Sequence, residues 1–396
     1  MSVLTRTALV TYLAAASWAL SGGVARVSAQ TAAPAAPGSG SQHILAEAVA
    51  NARTTGNRLA GPAPRVVPGA AQYQDGLTKL QAGQYAEALA PLQAAARANP
   101  NNAVFHLDLA AAYAGIERLD DAALELVRAR QIQGANQYFT VALAAVKALR
   151  EQWNEASLNL EAAVSADSSL IDEDIAAAGV SWGWRARRMG QVVAWSQIAT
   201  ARFPQIAEPW YRLAVYYQQQ RDTTRGVAAI QRFVALRPND RAGQFLYAVF
   251  LFNLQRNDSA LVLALQTLQD SALRESAAEI LFGVGARALQ ASKTDTAMMA
   301  LPLALQHAAP ELRPRISLFL GYAELGHIAA MDQLAERGRD CAIAQRLDTL
   351  VTSASRHLEA GATLDSARVA PIVNTTLPQY RTRAAAMVSQ YCRRRN

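Results

Sequence analysis

The chain has 396 residues, 51% of them hydrophobic, 7% aromatic and 17% charged, with a formal net charge of +7. The large alanine share favours helix over strand, and no acidic or basic block is long enough for a charged disordered tail. Only three lysines occur (Lys79, Lys147, Lys293), so the positive charge is arginine spread along the chain, which argues against a concentrated nucleic-acid surface.

The N-terminus has the three-part layout of a secretory signal peptide. Arg6 gives a positive start, an apolar stretch runs from Ala8 to Leu20, and Val27-Ser28-Ala29 offers small residues before Gln30. Residues 1–29 are expected to be removed on export, leaving a periplasmic or secreted protein. The alternative is a retained anchor, which would make a membrane-tethered scaffold. The stretch is short for a span of about 20 residues and is broken by Gly22-Gly23. No cysteine lies near the cut, so a lipid anchor there is excluded. Residues 30–68 read as a Pro/Ala/Gly/Ser linker with one short helix over about 42–56, capped by Ser41. The turn-rich segment from Gly61 to Gly69 follows.

From residue 69 one pattern repeats. Alanine recurs at Ala88, Ala122 and Ala156, leucine at Leu92, Leu126 and Leu160, and alanine again at Ala95, Ala129 and Ala163. Each set steps by 34 residues, a period that marks a stacked helical array. Within a unit the three positions fall at i, i+4 and i+7, on one face of a helix. The segment Tyr73–Pro100 adds Gly76 in a first helix, Gly83 and Tyr85 at a turn, and Pro100 as a helix stop. This segment resembles a tetratricopeptide repeat (TPR). The resemblance implies an all-α, right-handed superhelical solenoid of helical hairpins over about 69–338. Units at 103–136 and 137–170 keep the register, and the unit at 171–206 is degenerate and rich in Trp182, Trp184 and Trp195. The period returns at 207–240, with Trp210, Ile230 and Phe233, and Pro238 lies 34 residues after Pro204. Weaker units follow at 241–274 and, displaced by about three residues, around Gly285, Ala297 and Ala304.

Residues 339–396 leave the pattern. Helical periodicity runs from Cys341 to Leu358 and again from Pro378 to Arg394, with Gly361 and Pro371 between. Export to an oxidising compartment makes the chain's two cysteines, Cys341 and Cys392, most simply a disulfide. If the two helices pack antiparallel, the sulfurs meet and fasten a terminal hairpin cap, which a solenoid end needs.

No catalytic constellation emerges, and no cofactor or metal is expected. The five histidines are scattered, and neither HExxH nor Gly-x-Ser-x-Gly occurs. Gly283-Val284-Gly285 follows helical sequence rather than a strand, so it reads as packing and not as a dinucleotide box. Asp120-Asp121 and Asp172-Glu173-Asp174 read as helix starts. Two basic clusters remain: Arg185-Ala186-Arg187-Arg188 beside Trp184, and Arg393-Arg394-Arg395. They leave peripheral contact with anionic lipid as a minor reading.

The TPR resemblance implies a groove lined by the first helix of each unit, which binds a peptide or helix. Carried over position by position, it places there Tyr73, Leu77 and Leu80, then Val104 and Leu107, then Tyr138 and Val141. Tyr211 and Gln218 follow, and then Phe245, Val249 and Asn253. An apolar helix or extended segment suits this face better than an acidic tail. Two other readings stay open here: some of these residues are core, or the helix at 42–56 fills the groove in cis. The expected function is an exported, non-enzymatic scaffold or adaptor for a protein of a cell-envelope complex. The alternative is a non-catalytic platform for an enzyme acting on cell-wall or polysaccharide substrates.

Overall fold

The computed structural model describes residues 37–59 and 67–392. The expected signal peptide and the Arg393-Arg394-Arg395 cluster lie outside the described residues. The described chain is helical, without strands. It divides into two compact units, one ending at Tyr216 and the other beginning at Tyr217.

The first unit opens with α1 (Pro37–Leu59) and continues with four helical hairpins. These are α2 (Ala70–Gln81) with α3 (Tyr85–Ala98), and α4 (Ala103–Gly115) with α5 (Leu119–Ile132). Then come α6 (Tyr138–Leu149) with α7 (Trp153–Ala166), and α8 (Glu173–Arg185) with α9 (Met189–Arg202). The helix α10 (Ala207–Gln219) contains the boundary between the units. The nine residues of the repeating Ala/Leu/Ala pattern in α3, α5 and α7 are all fully buried. Close approach of two helix backbones requires small side chains there, and the leucine between them fills the seam.

The turns explain the period. Each hairpin turn passes through one left-handed residue, at Gly83, Glu117, Glu151, Arg187, Arg221, Gln255 and Ser292. The amide after it then bonds back across the turn, as Arg118 does to the Tyr113 carbonyl at 2.9 Å. The same bond joins Gln84 to Lys79, Gln152 to Lys147, Arg188 to Gly183, Asp222 to Tyr217, Arg256 to Leu251 and Lys293 to Ala288. This is the six-to-one closure of a helix end, which satisfies an otherwise unpaired carbonyl. Only the first turn uses glycine; the others hold an L side chain in a conformation that costs it about 1 kcal/mol. The connection between hairpins has its own recurring bond. His106 Nε2 donates to the Pro100 carbonyl, Trp210 Nε1 to Pro204, and Gln244 Nε2 to Pro238, each six residues back.

The degenerate unit at 171–206 is a regular hairpin with an altered seam. Trp195 stands in the second helix, and a Cβ at Gly179 would sit 2.2 Å from its ring. Glycine on the first helix thus makes room for tryptophan on the second. Gly76 stands in the same relation to Leu92 in the first hairpin. The turn residue Arg187 comes 36 residues after Glu151, so the period slips by two and Val192 stands where the earlier hairpins have alanine, five residues after the turn.

The second unit contains α11 (Thr223–Leu236), α12 (Arg241–Asn253) with α13 (Asn257–Thr267), and α14 (Arg274–Gln290) with α15 (Thr294–His307). The displacement near Gly285 is real: the turn residue Ser292 comes 37 residues after Gln255. A longer hairpin, α16 (Arg313–Gly338) with α17 (Cys341–Gly361), precedes α18 (Ser366–Pro371) and α19 (Leu377–Tyr391). The chain stays helical through the Gly361–Pro371 region, where a π turn at 372–376 leads into α19. Cys341 and Cys392 form a disulfide with their Cα atoms 4.9 Å apart, tying the start of α17 to the end of α19. Beside it Arg383 of α19 pairs with Asp332 at 3.1 Å and Glu336 at 2.6 Å on α16.

The N-terminal helix differs most from expectation. It runs 23 residues rather than over 42–56, and Ser41 lies inside it rather than at its cap. It is not a linker element. Ser41, Ile44, Leu45, Ala48, Val49 and Ala52 are buried. They recur at i, i+3, i+4, i+7, i+8 and i+11, the stripe of a helix with one docked face. That face packs on α4, α6 and α8, the first helices of three hairpins.

Candidate functional site

The first-helix face of the first unit is therefore occupied by a helix of the same chain. Its centre is ionic. Asp108 on α4 is completely buried, and Arg53 of α1 grips it with Nη2 on Oδ1 at 2.5 Å and Nε on Oδ2 at 3.1 Å. The Tyr73 hydroxyl of α2 donates to Oδ2 at 2.6 Å, and the Tyr73 ring stacks on Phe105 with centroids 4.5 Å apart. Burial and the Asp108 charge together push the Tyr73 phenol well above its usual range, so it stays a donor. Burial works against the Arg53 charge, but the Asp108 hydrogen bonds and charge outweigh it, and the guanidinium is held above its usual pKa. A carboxylate this deep needs a cation and full hydrogen bonding, and α1 supplies both.

A second polar anchor holds the α1 backbone. Asn136, almost wholly buried before α6, donates from Nδ2 to the Ala52 carbonyl at 2.9 Å, while its Oδ1 accepts from the Tyr138 amide. Near the other end of α1, His43 lies 3.3 Å from Asp174 at the start of α8 and 3.6 Å from Glu47. His43, Glu47 and Asp174 offer three ligand atoms within 4.8 Å of one another, but all three side chains are exposed. The sequence reading did not assemble this group.

The fit of α1 is incomplete. An open cleft of about 800 Å³ remains along one flank, lined by Gln42, Leu45, Ala46 and Val49 of α1 and by residues of α2, α4 and α6, among them Leu80, Ala111 and Leu149. On the other flank a pocket of about 70 Å³ lies between Ile44 and Ala48 of α1 and Tyr138, Val141 and Ile175.

These contacts locate the residues taken from the sequence. Tyr73, Tyr138 and Val141 meet around α1, and Leu80 lines the open cleft. Leu107 is fully buried next to Asp108, Val104 is buried, and Leu77 is half-buried. Tyr211 is buried in the first unit. Gln218, Phe245, Val249 and Asn253 belong to the second unit, where Phe245 and Val249 are buried, Gln218 is half-buried and Asn253 is exposed. The alternative of a groove filled in cis thus describes the first unit. Asp108, Arg53 and Asn136 were missed. The signal for Asp108 was present: one acid interrupts an otherwise apolar helix, Ala103-Val-Phe-His-Leu-Asp108-Leu-Ala-Ala-Ala-Tyr113.

The other candidate features have structural partners. The Arg212 guanidinium lies 3.8 Å over the Trp184 ring, Arg185 lies 4.5 Å over Trp153, and Arg188 pairs with Glu161. Arg187 is the exposed left-handed turn residue. A Cβ on Gly283 would strike the Phe252 ring, and one on Gly285 would strike Leu301, so this glycine pair serves helix packing. Asp172 caps α8 through the Ile175 amide. No described helix is long and apolar enough to cross a membrane.

The same turn recurs at intervals of 34 to 37 residues, each time closing a helical hairpin. Each unit is built of TPR-like helical hairpins. No family model matches the sequence, and no curated protein matches it. Solved TPR structures resemble it in fold. One is YrrB, a TPR protein with an unusual peptide-binding site, at 12% identity and a TM-score of 0.41 over 47% of this chain and 95% of that one. Another is PilF of Pseudomonas aeruginosa, at 16% identity and 0.38 over 52% and 92%. A TPR protein of Parabacteroides merdae aligns at 10% identity and 0.36 over 71% and 97%.

Proposed function

We propose that this TPR protein is an exported, non-enzymatic scaffold whose first unit receives a helix of a protein partner, as an assembly factor or extramembrane subunit of an envelope complex. One observation carries the reading: the first-helix face already seats a helix, α1, by an apolar stripe and one buried ion pair. A surface that accepts one amphipathic helix offers the shape and spacing that another would use. The signal-peptide layout supports export, and the disulfide suits an oxidising compartment.

A photo-crosslinking residue at Tyr138, used in the native cell, tests the proposal. The expected adduct maps to one helical segment of one envelope protein. The same probe at Leu124, an exposed position on a second helix, gives none. Equal adducts at both positions, or none at Tyr138, would overturn it.

A further inference from the structure

Asp108 sets a requirement on whatever occupies the first-helix face. Its carboxylate has no exposure, and its cationic partner comes from α1 rather than from the solenoid itself. Tyr73 contributes a neutral hydrogen bond. Any helix that replaces α1 buries this carboxylate again, in place of Arg53. An occupant that brings no cation leaves that charge uncompensated, which is among the costlier defects of an interface. The face therefore does more than accept apolar helices; it demands one charge at one place.

The cleft beside α1 adds a second requirement. The resident helix borders a space of about 800 Å³ with Gln42, Leu45, Ala46, Val49 and Arg53. That space runs along the α2, α4 and α6 flank, beside Leu80, Ala111 and Leu149. The space beside Ala46 has room for a larger side chain on the occupying helix. Unfilled apolar surface is binding energy that α1 leaves unused.

Resting on the reading of this face as a helix-binding site, we infer that its partner is an amphipathic helix with an arginine at the place of Arg53 and a bulkier apolar residue at the place of Ala46. The residues between follow the stripe of α1, with aliphatic or small side chains where Ile44, Leu45, Ala48, Val49 and Ala52 stand. Arginine suits the site better than lysine, because Asp108 is held by two parallel hydrogen bonds from one planar group. α1 acts as a tethered placeholder that keeps Asp108 neutralised until that helix arrives.

The test uses the full chain with Ala48→Glu, which drives a charge into the α1 seam and releases α1 without altering the face. Fluorescent peptides of residues 40–59 serve as probes: the natural sequence, the same with Arg53→Ala, and the same with Ala46→Leu. The released chain is expected to bind the natural peptide at least tenfold more tightly than the Arg53→Ala peptide. The Ala46→Leu peptide is expected to bind about threefold more tightly than the natural one. Adding Asp108→Asn to the released chain abolishes the arginine preference. Equal binding of the natural and Arg53→Ala peptides overturns the inference but leaves a helix-binding face. Binding of no peptide overturns both readings. Dimerisation of the released chain without peptide uptake overturns the inference too, since the face then serves α1 of a second copy.

Discussion

The two units of this solenoid secure their terminal helices by opposite means. In the second unit α19 is bound covalently to α17 through Cys341–Cys392, and Arg383 reinforces the hairpin from outside. In the first unit α1 has no covalent tie to the helices beneath it. It is held by a narrow stripe, one asparagine and the Arg53–Asp108 pair. A disulfide fixes a cap for the life of the oxidised protein. A buried ion pair holds a helix only while both partners are present, and it penalises an occupant that covers the carboxylate without a cation. The difference is that one terminal helix is fixed covalently and the other only by packing, hydrogen bonds and an ion pair.

The largest expected effect separates the two. Cys392→Ser, or reduction, removes a loop constraint over 51 residues and should cost the second unit about 4 kcal/mol by the chain-entropy argument. Denaturant unfolding followed by hydrogen exchange checks it; α17 and α19 should lose protection while α1 keeps its own. Joint loss would mean that the two ends are not independent.

Arg53→Ala strands Asp108. Arg53 keeps about a quarter of its exposure, so the expected cost falls below that of a fully buried pair, at about 2–3 kcal/mol in the first unit. Asp108→Asn added to Arg53→Ala should recover part of this, because the stranded charge is gone. A double variant no more stable than Arg53→Ala would show that the pair holds α1 by packing alone.

Smaller effects concern the repeats themselves. Glu151→Gly and Arg221→Gly relieve left-handed turn residues and should each raise stability by up to about 1 kcal/mol, one in each unit. Equal gains would indicate that the turns are equivalent in both. Smallest is Glu279→Gln in α14. Burial, with Glu275 one turn away, raises the Glu279 carboxyl above its usual range. The folded state then binds this proton more tightly than the unfolded chain. Its contribution is best at low pH and declines as pH climbs from about 4.5 through the raised value. Removing this carboxyl should therefore raise the urea midpoint at pH 7 relative to that at pH 4, compared with the wild type.

Much of the architecture was legible because it is repetitive. The alanines at 88, 122 and 156 are fully buried seam residues that recur through three consecutive hairpins. The terminal disulfide was legible from the chain's even cysteine pair and the expected antiparallel direction of the two helices that carry it. The hairpin at 171–206 was harder to read, since its turn comes 36 residues after the last and Val192 stands where alanine would recur. The occupant of the first-helix face was visible only as an alternative. The stripe of α1 is short and alanine-rich, and nothing in a periodic pattern says which face it meets. Arg53 and Asp108 stand 55 residues apart in different elements, outside any local spacing. Sequence periodicity records what each helix buries and is silent about partners that docking brings together.

Native-state hydrogen exchange across α1 tests the central claim most directly. In the wild-type chain the amides from Ile44 to Arg53 should be protected to a common level, below that of α5 and above that of a free peptide. In Arg53→Ala that protection should collapse over the whole segment, with α17 and α19 unchanged. Exchange of α1 at free-peptide rates in the wild type, or unaltered protection in Arg53→Ala, would contradict the account.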